Sequence, residues 1–111
     1  MEEVDRHIEA TCPECRGPLT QVRRGDFIEY RCLVGHSYTA GTMLASHHET
    51  EERSLWAAAV ALEEAANLVK AAAPEFEPEI AARLTEQAEK KAAQAVRIRE
   101  ILEDLDPLQF D

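Results

Sequence analysis

Three cysteines and a histidine, ordered Cys12-x2-Cys15 and then Cys32-x3-His36, constrain this chain more than any other feature. A C-x2-C spacing lets two thiolates point at one ion from a tight turn whose amide N–H groups donate to the sulfurs. A second half-site, brought alongside by a hairpin, completes a tetrahedron. The neighbours agree. Pro13 stiffens the first turn, Gly17 follows the first pair, and Gly35 sits inside the second, where a tight turn needs positive φ. Between the half-sites, Leu19 to Val22 and Phe27 to Cys32 read as short strands rich in β-formers, with Arg24-Gly25-Asp26 as the turn. Residues 1–38 are therefore expected to form a zinc ribbon, with Cys12, Cys15, Cys32 and His36 holding one structural Zn2+.

An odd number of thiols cannot pair fully as disulfides within one chain, and nothing in the sequence points to export. Two alternatives to zinc stand: a redox pair or free thiols, and some other metal. The redox motif opens a helix in a βαβ unit, which Pro18 and the hairpin signals contradict. Four protein ligands would close the coordination sphere and leave no position for an activated water, so the metal is expected to hold structure rather than catalyse. His36 is preferred as fourth ligand to His7, which precedes the ribbon. His47 and His48 fall on a helix and read as surface or interface residues. Adjacent helical residues diverge by about 100°, so the two do not easily converge on one ion.

From Thr39 the pattern changes to a helical one, with Ser37 or Thr39 as N-cap. Leu55, Ala59, Leu62, Ala66, Val69 and Ala73 repeat at steps of four and three, the spacing of one stripe packed on a partner, and Trp56 and Val60 widen it. Pro74 requires the helix to end by Ala73. After a short connector, Pro78 suits a first helical position and Glu79 lies where the helix dipole favours acid. A second helix then runs to about Asp104, before Pro107. Its stripe is Ala81, Leu84, Ala88, Lys91, Ala95, Ile98, Leu102 and Leu105, with Lys91 as the polar break. So short a connector makes the helices antiparallel neighbours. The fold class expected is α+β, mostly α: a ribbon over 1–38 and an antiparallel helical hairpin over 39–111.

Charge narrows the function classes. The 111 residues carry 12 basic and 22 acidic side chains, a net charge of −10, which disfavours a general affinity for nucleic acid or anionic lipid. The acidity belongs to the helical part: residues 1–39 hold seven acids and five bases, residues 40–111 fifteen and seven. Arg16, Arg23, Arg24 and Arg31 make a small basic patch on the ribbon, the one feature favouring nucleic acid. No apolar run approaches the roughly 20 residues that span a bilayer, and the start Met1-Glu2-Glu3-Val4-Asp5 is unlike a secretion signal. A cytoplasmic location is expected. No catalytic constellation stands out: Ser37, Ser46 and Ser54 lack a nucleophile-elbow setting, and His48-Glu49 is not completed by a second histidine. The chain is not expected to be an enzyme.

A ribbon of this size buries too little apolar surface to fold alone, so metal binding should drive its folding. Two helices can cover only each other's stripe, which leaves apolar groups such as Trp56 and Val60 to pack on the ribbon or on a second chain. A homodimer through the hairpin is the expectation.

Taken together, Thr11-Cys12-Pro13-Glu14-Cys15-Arg16-Gly17-Pro18-Leu19, Tyr30-Arg31-Cys32-Leu33-Val34-Gly35-His36-Ser37-Tyr38, and Leu55-Trp56-Ala57-Ala58 on an Ala/Glu-rich helix resemble the C-terminal extension of bacterial chemotaxis protein-glutamate methylesterase homologues. The resemblance covers roughly residues 10–105, and its motifs are specific in combination. It implies Cys12, Cys15, Cys32 and His36 as zinc ligands. The esterase domain, with its Ser/His/Asp triad, has no counterpart in the sequence, and Met1 points to a free-standing relative rather than an excised piece. The expected function is a non-catalytic interaction or regulatory module, with a protein partner, in a chemotaxis-like signalling system. A small nucleic-acid-binding or transcription-associated ribbon is one alternative, and a ligand sensor using the helices with His47 and His48 another.

Overall fold

A computed structural model describes residues 4–106 and 109. Two compact units emerge, one reaching to Thr50 and one comprising Glu51–Asp106. The chain is α+β and mostly helical. Four strands, β1 (Val4–Thr11), β2 (Pro18–Arg24), β3 (Phe27–Cys32) and β4 (Ser37–Thr39), precede helices α1 (Ala40–Ala72) and α2 (Pro78–Asp104).

The strands form one antiparallel meander in chain order. The central β2–β3 hairpin is the one the sequence predicts, with β2 extended a residue or two at each end. Arg24 faces Phe27 across a two-residue turn, and Gly25 takes φ 62°, the left-handed first position of a type II′ hairpin. Two strands exceed the sequence reading. In β1, Ile8 and Ala10 are half-buried while His7, Glu9 and Thr11 are exposed, a period of two that the motif-centred reading passed over. In β4, Tyr38 pairs with Tyr30 and Ser37 with Arg31, so Ser37 belongs to the sheet and not to the helix cap.

Thr39 performs the capping instead. Its hydroxyl accepts from the Thr42 N–H at 3.1 Å, while its own N–H donates to the Thr42 hydroxyl at 2.9 Å, a reciprocal arrangement that satisfies two backbone donors at the start of α1.

Register places Ile8, Leu19 and Cys32 side by side on one face of the sheet, with Tyr30 and Tyr38 further along. On that face Cys12, Leu19, Cys32 and Met43 form the core, with Ala10, Tyr30 and Tyr38 packed against it. Met43 comes from the first turns of α1, so the helix start completes this small core. The opposite face is more polar. There Arg24 and Arg31 lie 3.2 Å and 3.0 Å from the Glu29 carboxylate, which also accepts from the Ser37 hydroxyl. Two of the four arginines of the expected basic patch are thus tied to an acid.

In the second unit the predicted stripes are the buried ones. Ala59, Ala66 and Ala73 on one side, and Ala88 and Ala95 on the other, are buried at seven-residue intervals, with Leu55, Leu62, Val69, Leu84, Ile98 and Leu102 half-buried beside them. A 3-10 turn at Ala73–Glu75 ends the first run, and Pro78 occupies the first turn of α2. Lys91, the polar break, is only half-buried, as a long side chain with an apolar stem and a charged end allows at a stripe position. The Arg99 guanidinium crosses the hairpin to make two 2.7 Å hydrogen bonds to the Glu63 carboxylate and lies 4.7 Å over the Trp56 ring. The predicted stop at Pro107 lies outside the described residues; α2 ends at Asp104.

Candidate metal centre

Each half-site is a short turn held by its own backbone. In the first, the Cys12 N–H donates to Gly17 O at 2.8 Å and the Arg16 N–H to Cys12 O at 2.9 Å. The left-handed residue of this turn is Arg16, at φ 64°, rather than a glycine. In the second, the Cys32 N–H donates to His36 O at 3.1 Å and the Gly35 N–H to Cys32 O at 3.2 Å, with Gly35 at φ 101° as the sequence requires. The turns meet because of what brackets them. Thr11 pairs with Pro18 around the first after a register shift in β1, which re-aims the chain into the turn, and Arg31 pairs with Ser37 around the second. Leu19 in register with Cys32 sets the two turns at the same end of the sheet.

Four donor atoms converge there. The sulfurs of Cys12, Cys15 and Cys32 and a ring nitrogen of His36 all lie within 4.8 Å of one another. The His36 Nδ1 is 3.5 Å from Cys12 Sγ and 3.3 Å from Cys32 Sγ. A tetrahedron with bonds of ~2.3 Å to sulfur has edges of about 3.7 Å, so the spacing matches a single four-coordinate ion. Cys12 and Cys32 are buried and Cys15 is exposed, which puts the site at the rim of the small core. Among the described residues this is the sole group of three or more His, Cys, Asp or Glu side chains so arranged. His7 is not in it: it pairs with Thr20, on the face away from Cys32. Nor are His47 and His48, on α1; His47 instead helps line an apolar recess of about 250 Å³ with Ile8, Leu19, Tyr30, Met43 and Leu44.

The electrostatics describe sulfurs prepared for a cation. Burial pushes the Cys12 thiol up, but donation from the Cys15 N–H, the Tyr38 hydroxyl and the Glu14 N–H outweighs it and brings the thiol down to about 6. Cys32 is likewise lowered: burial opposes ionisation, and the His36 and Val34 N–H groups with the Cys15 and His36 side chains overcome it. Cys15 moves the other way. The Gly17 N–H favours its thiolate, yet burial and the neighbouring Cys32 and Cys12 sulfurs raise it overall, because a third negative charge in one place is resisted. A bound dication removes that conflict. The His36 imidazole is raised, chiefly by its hydrogen bond to Cys32. Tyr38 is raised by burial and by Cys12, whose sulfur lies 3.5 Å from its hydroxyl.

Tyr38 and Glu14 are the residues that ligand spacing alone did not single out. The His36 Nε2 lies 3.1 Å from a Glu14 carboxylate oxygen. A carboxylate two positions after the first cysteine is the signal that was available for it.

Comparison with protein-family models, with curated proteins and with solved structures found no match to this chain. The donor set itself therefore carries the assignment. Three thiolates and an imidazole suit a borderline-soft ion and no hard cation, and these residues are compatible with one structural metal. Among the described residues, no helix is long and apolar enough to cross a membrane.

Proposed function

We propose that Cys12, Cys15, Cys32 and His36 hold one Zn2+ that organises the first unit, and that the chain is a non-catalytic interaction or regulatory module. The observation that carries this reading is the convergence of three sulfurs and one imidazole nitrogen within 4.8 Å. Four protein donors leave no coordination position for substrate or water, so the ion's contribution is stability. The first unit needs it: among its described residues the buried apolar side chains are few, namely Leu19, Val22 and Met43 beside the two buried cysteines.

The interaction role falls to the helical unit, where Trp56 is 54% exposed and the Arg99 guanidinium holds its ring. Trp and Arg are among the residue types enriched at the energetic centres of interfaces. A second copy docking there gives a homodimer through the hairpin. By the resemblance noted above, a chemotaxis-like signalling system is the setting.

Metal analysis of protein purified without added zinc is expected to find one zinc per chain, and a ratio far below one overturns the assignment. Chelation is expected to unfold the first unit, and an unchanged melting curve after complete metal removal refutes the structural role. Sedimentation at high micromolar concentration tests the dimer; a monomer excludes it. Trp56→Ala is expected to weaken partner capture while leaving zinc content unchanged.

A further inference from the structure

The two half-sites are joined by a residue that is not a ligand. Glu14 lies between Pro13 and Cys15, at the tip of the first turn. Its backbone N–H donates to the Cys12 sulfur, which holds its main chain in place. Its carboxylate reaches the opposite turn, where Glu14 Oε2 is 3.1 Å from His36 Nε2. The other ring nitrogen, Nδ1, faces the cluster at 3.3 Å and 3.5 Å from two sulfurs. The imidazole is thus held edge-on, one nitrogen toward the thiolates and one toward the acid.

Resting on the zinc reading above, the geometry points to Glu14 as the positioning residue of the metal centre: it accepts the Nε2–H of His36 and so fixes Nδ1 as the ligating atom. A carboxylate cannot donate when ionised, so the proton of this hydrogen bond resides on Nε2. A neutral imidazole with its proton on Nε2 carries its lone pair on Nδ1, the nitrogen that faces the sulfurs. Carboxylate partners of ligating histidines set the tautomer and ring orientation in this way, and their loss typically weakens metal binding 10–100-fold. Glu14 is 59% exposed, so water competes for both partners and the lower end of that range applies. The short spacing has a geometric reason. Nδ1 is one atom closer to the backbone than Nε2, which suits a histidine whose own main chain closes the turn on Cys32.

Two measurements on the full chain test this. Long-range proton–nitrogen correlation spectra of nitrogen-15 histidine-labelled protein, loaded with zinc, are expected to show His36 protonated at Nε2 and metal-bound at Nδ1. Competition for Zn2+ against a chromophoric chelator is expected to show about 10-fold weaker binding for Glu14→Ala. Glu14→Gln, whose side-chain carbonyl still accepts from Nε2–H, should recover most of that loss. A spectrum with metal at Nε2 overturns the inference while leaving the zinc site standing, and needs no variant to fold. Equal zinc affinity for Glu14→Ala and the parent overturns it, as does an equal loss in both variants, which would make charge rather than orientation the cause. A parent chain that binds no zinc sinks this inference and the zinc reading together.

Discussion

Ala88 is fully buried on α2, within a seam whose other buried members are also alanines. The structure therefore predicts that the position tolerates neither a smaller nor a larger residue. Ala88→Gly loses about 1 kcal/mol of helix propensity and a buried methyl group worth about 0.8 kcal/mol, a destabilisation of about 2 kcal/mol. Ala88→Leu adds three carbons at a position already closed to solvent and should cost about 1–3 kcal/mol by overpacking. The exposed Ala93 supplies the control: Ala93→Gly should show the propensity cost alone, and Ala93→Leu should lie within about 0.5 kcal/mol of the parent. In a unit of this size 1 kcal/mol moves the melting temperature by roughly 4–8 °C, so Ala88→Gly should lower it by about 10 °C. Circular dichroism at 222 nm, by heating and by urea, reads both series. The reasoning fails if Ala88→Leu raises the melting temperature, because a gain would mean that the seam is loosely packed, with room to bury more apolar surface.

Further consequences follow from the turns and the cross-hairpin pair. Gly35→Ala meets no atom within 4 Å, but its φ of 101° strains any side chain, so a cost of about 1–2 kcal/mol should appear as a roughly 10-fold loss in zinc competition. Gly17→Ala, with ordinary backbone geometry and its added carbon 3.4 Å from the Cys15 sulfur, should bind zinc nearly as the parent does. The hydrogen bonds from Arg99 hold the Glu63 carboxyl below the usual carboxylate range. Its folded value lies under its unfolded one, so the pair's stabilisation is complete above that range and is lost as pH falls through the depressed value. Urea midpoints measured down the acid limb should fall less steeply for Glu63→Gln than for the parent. Leu19→Ala removes the largest fully buried side chain and should destabilise the first unit by about 2–5 kcal/mol, read as melting of the zinc-loaded protein.

How far the sequence could be read depended on whether a feature was periodic and local. Leu55 to Ala73 and Ala81 to Leu105 declared their faces through three-four spacing, and those faces are the buried ones. Phe27 to Cys32 declared itself by composition and its turn. β1 was missed because Arg6 interrupts its apolar face and because its partner is chosen by register with β2 rather than by local propensity. β4 is three residues long, too short to carry a period. Ser37 and Thr39 are equally good caps by composition; pairing of Ser37 with Arg31 decides between them.

The four candidate donors were legible in the sequence, since C-x2-C and C-x3-H each close within one turn and depend on nothing distant. It determined both helical stripes, the end of α1 ahead of Pro74 and the start of α2 at Pro78 for the same reason. Tertiary structure decided what depends on two segments meeting: that the half-sites lie at one end of the sheet, that Met43 of the helix completes the core beneath them, and that Glu14 reaches His36 across 22 positions. Cross-strand register and side-chain reach set those relations, and neither is written in the spacing of residues along the chain.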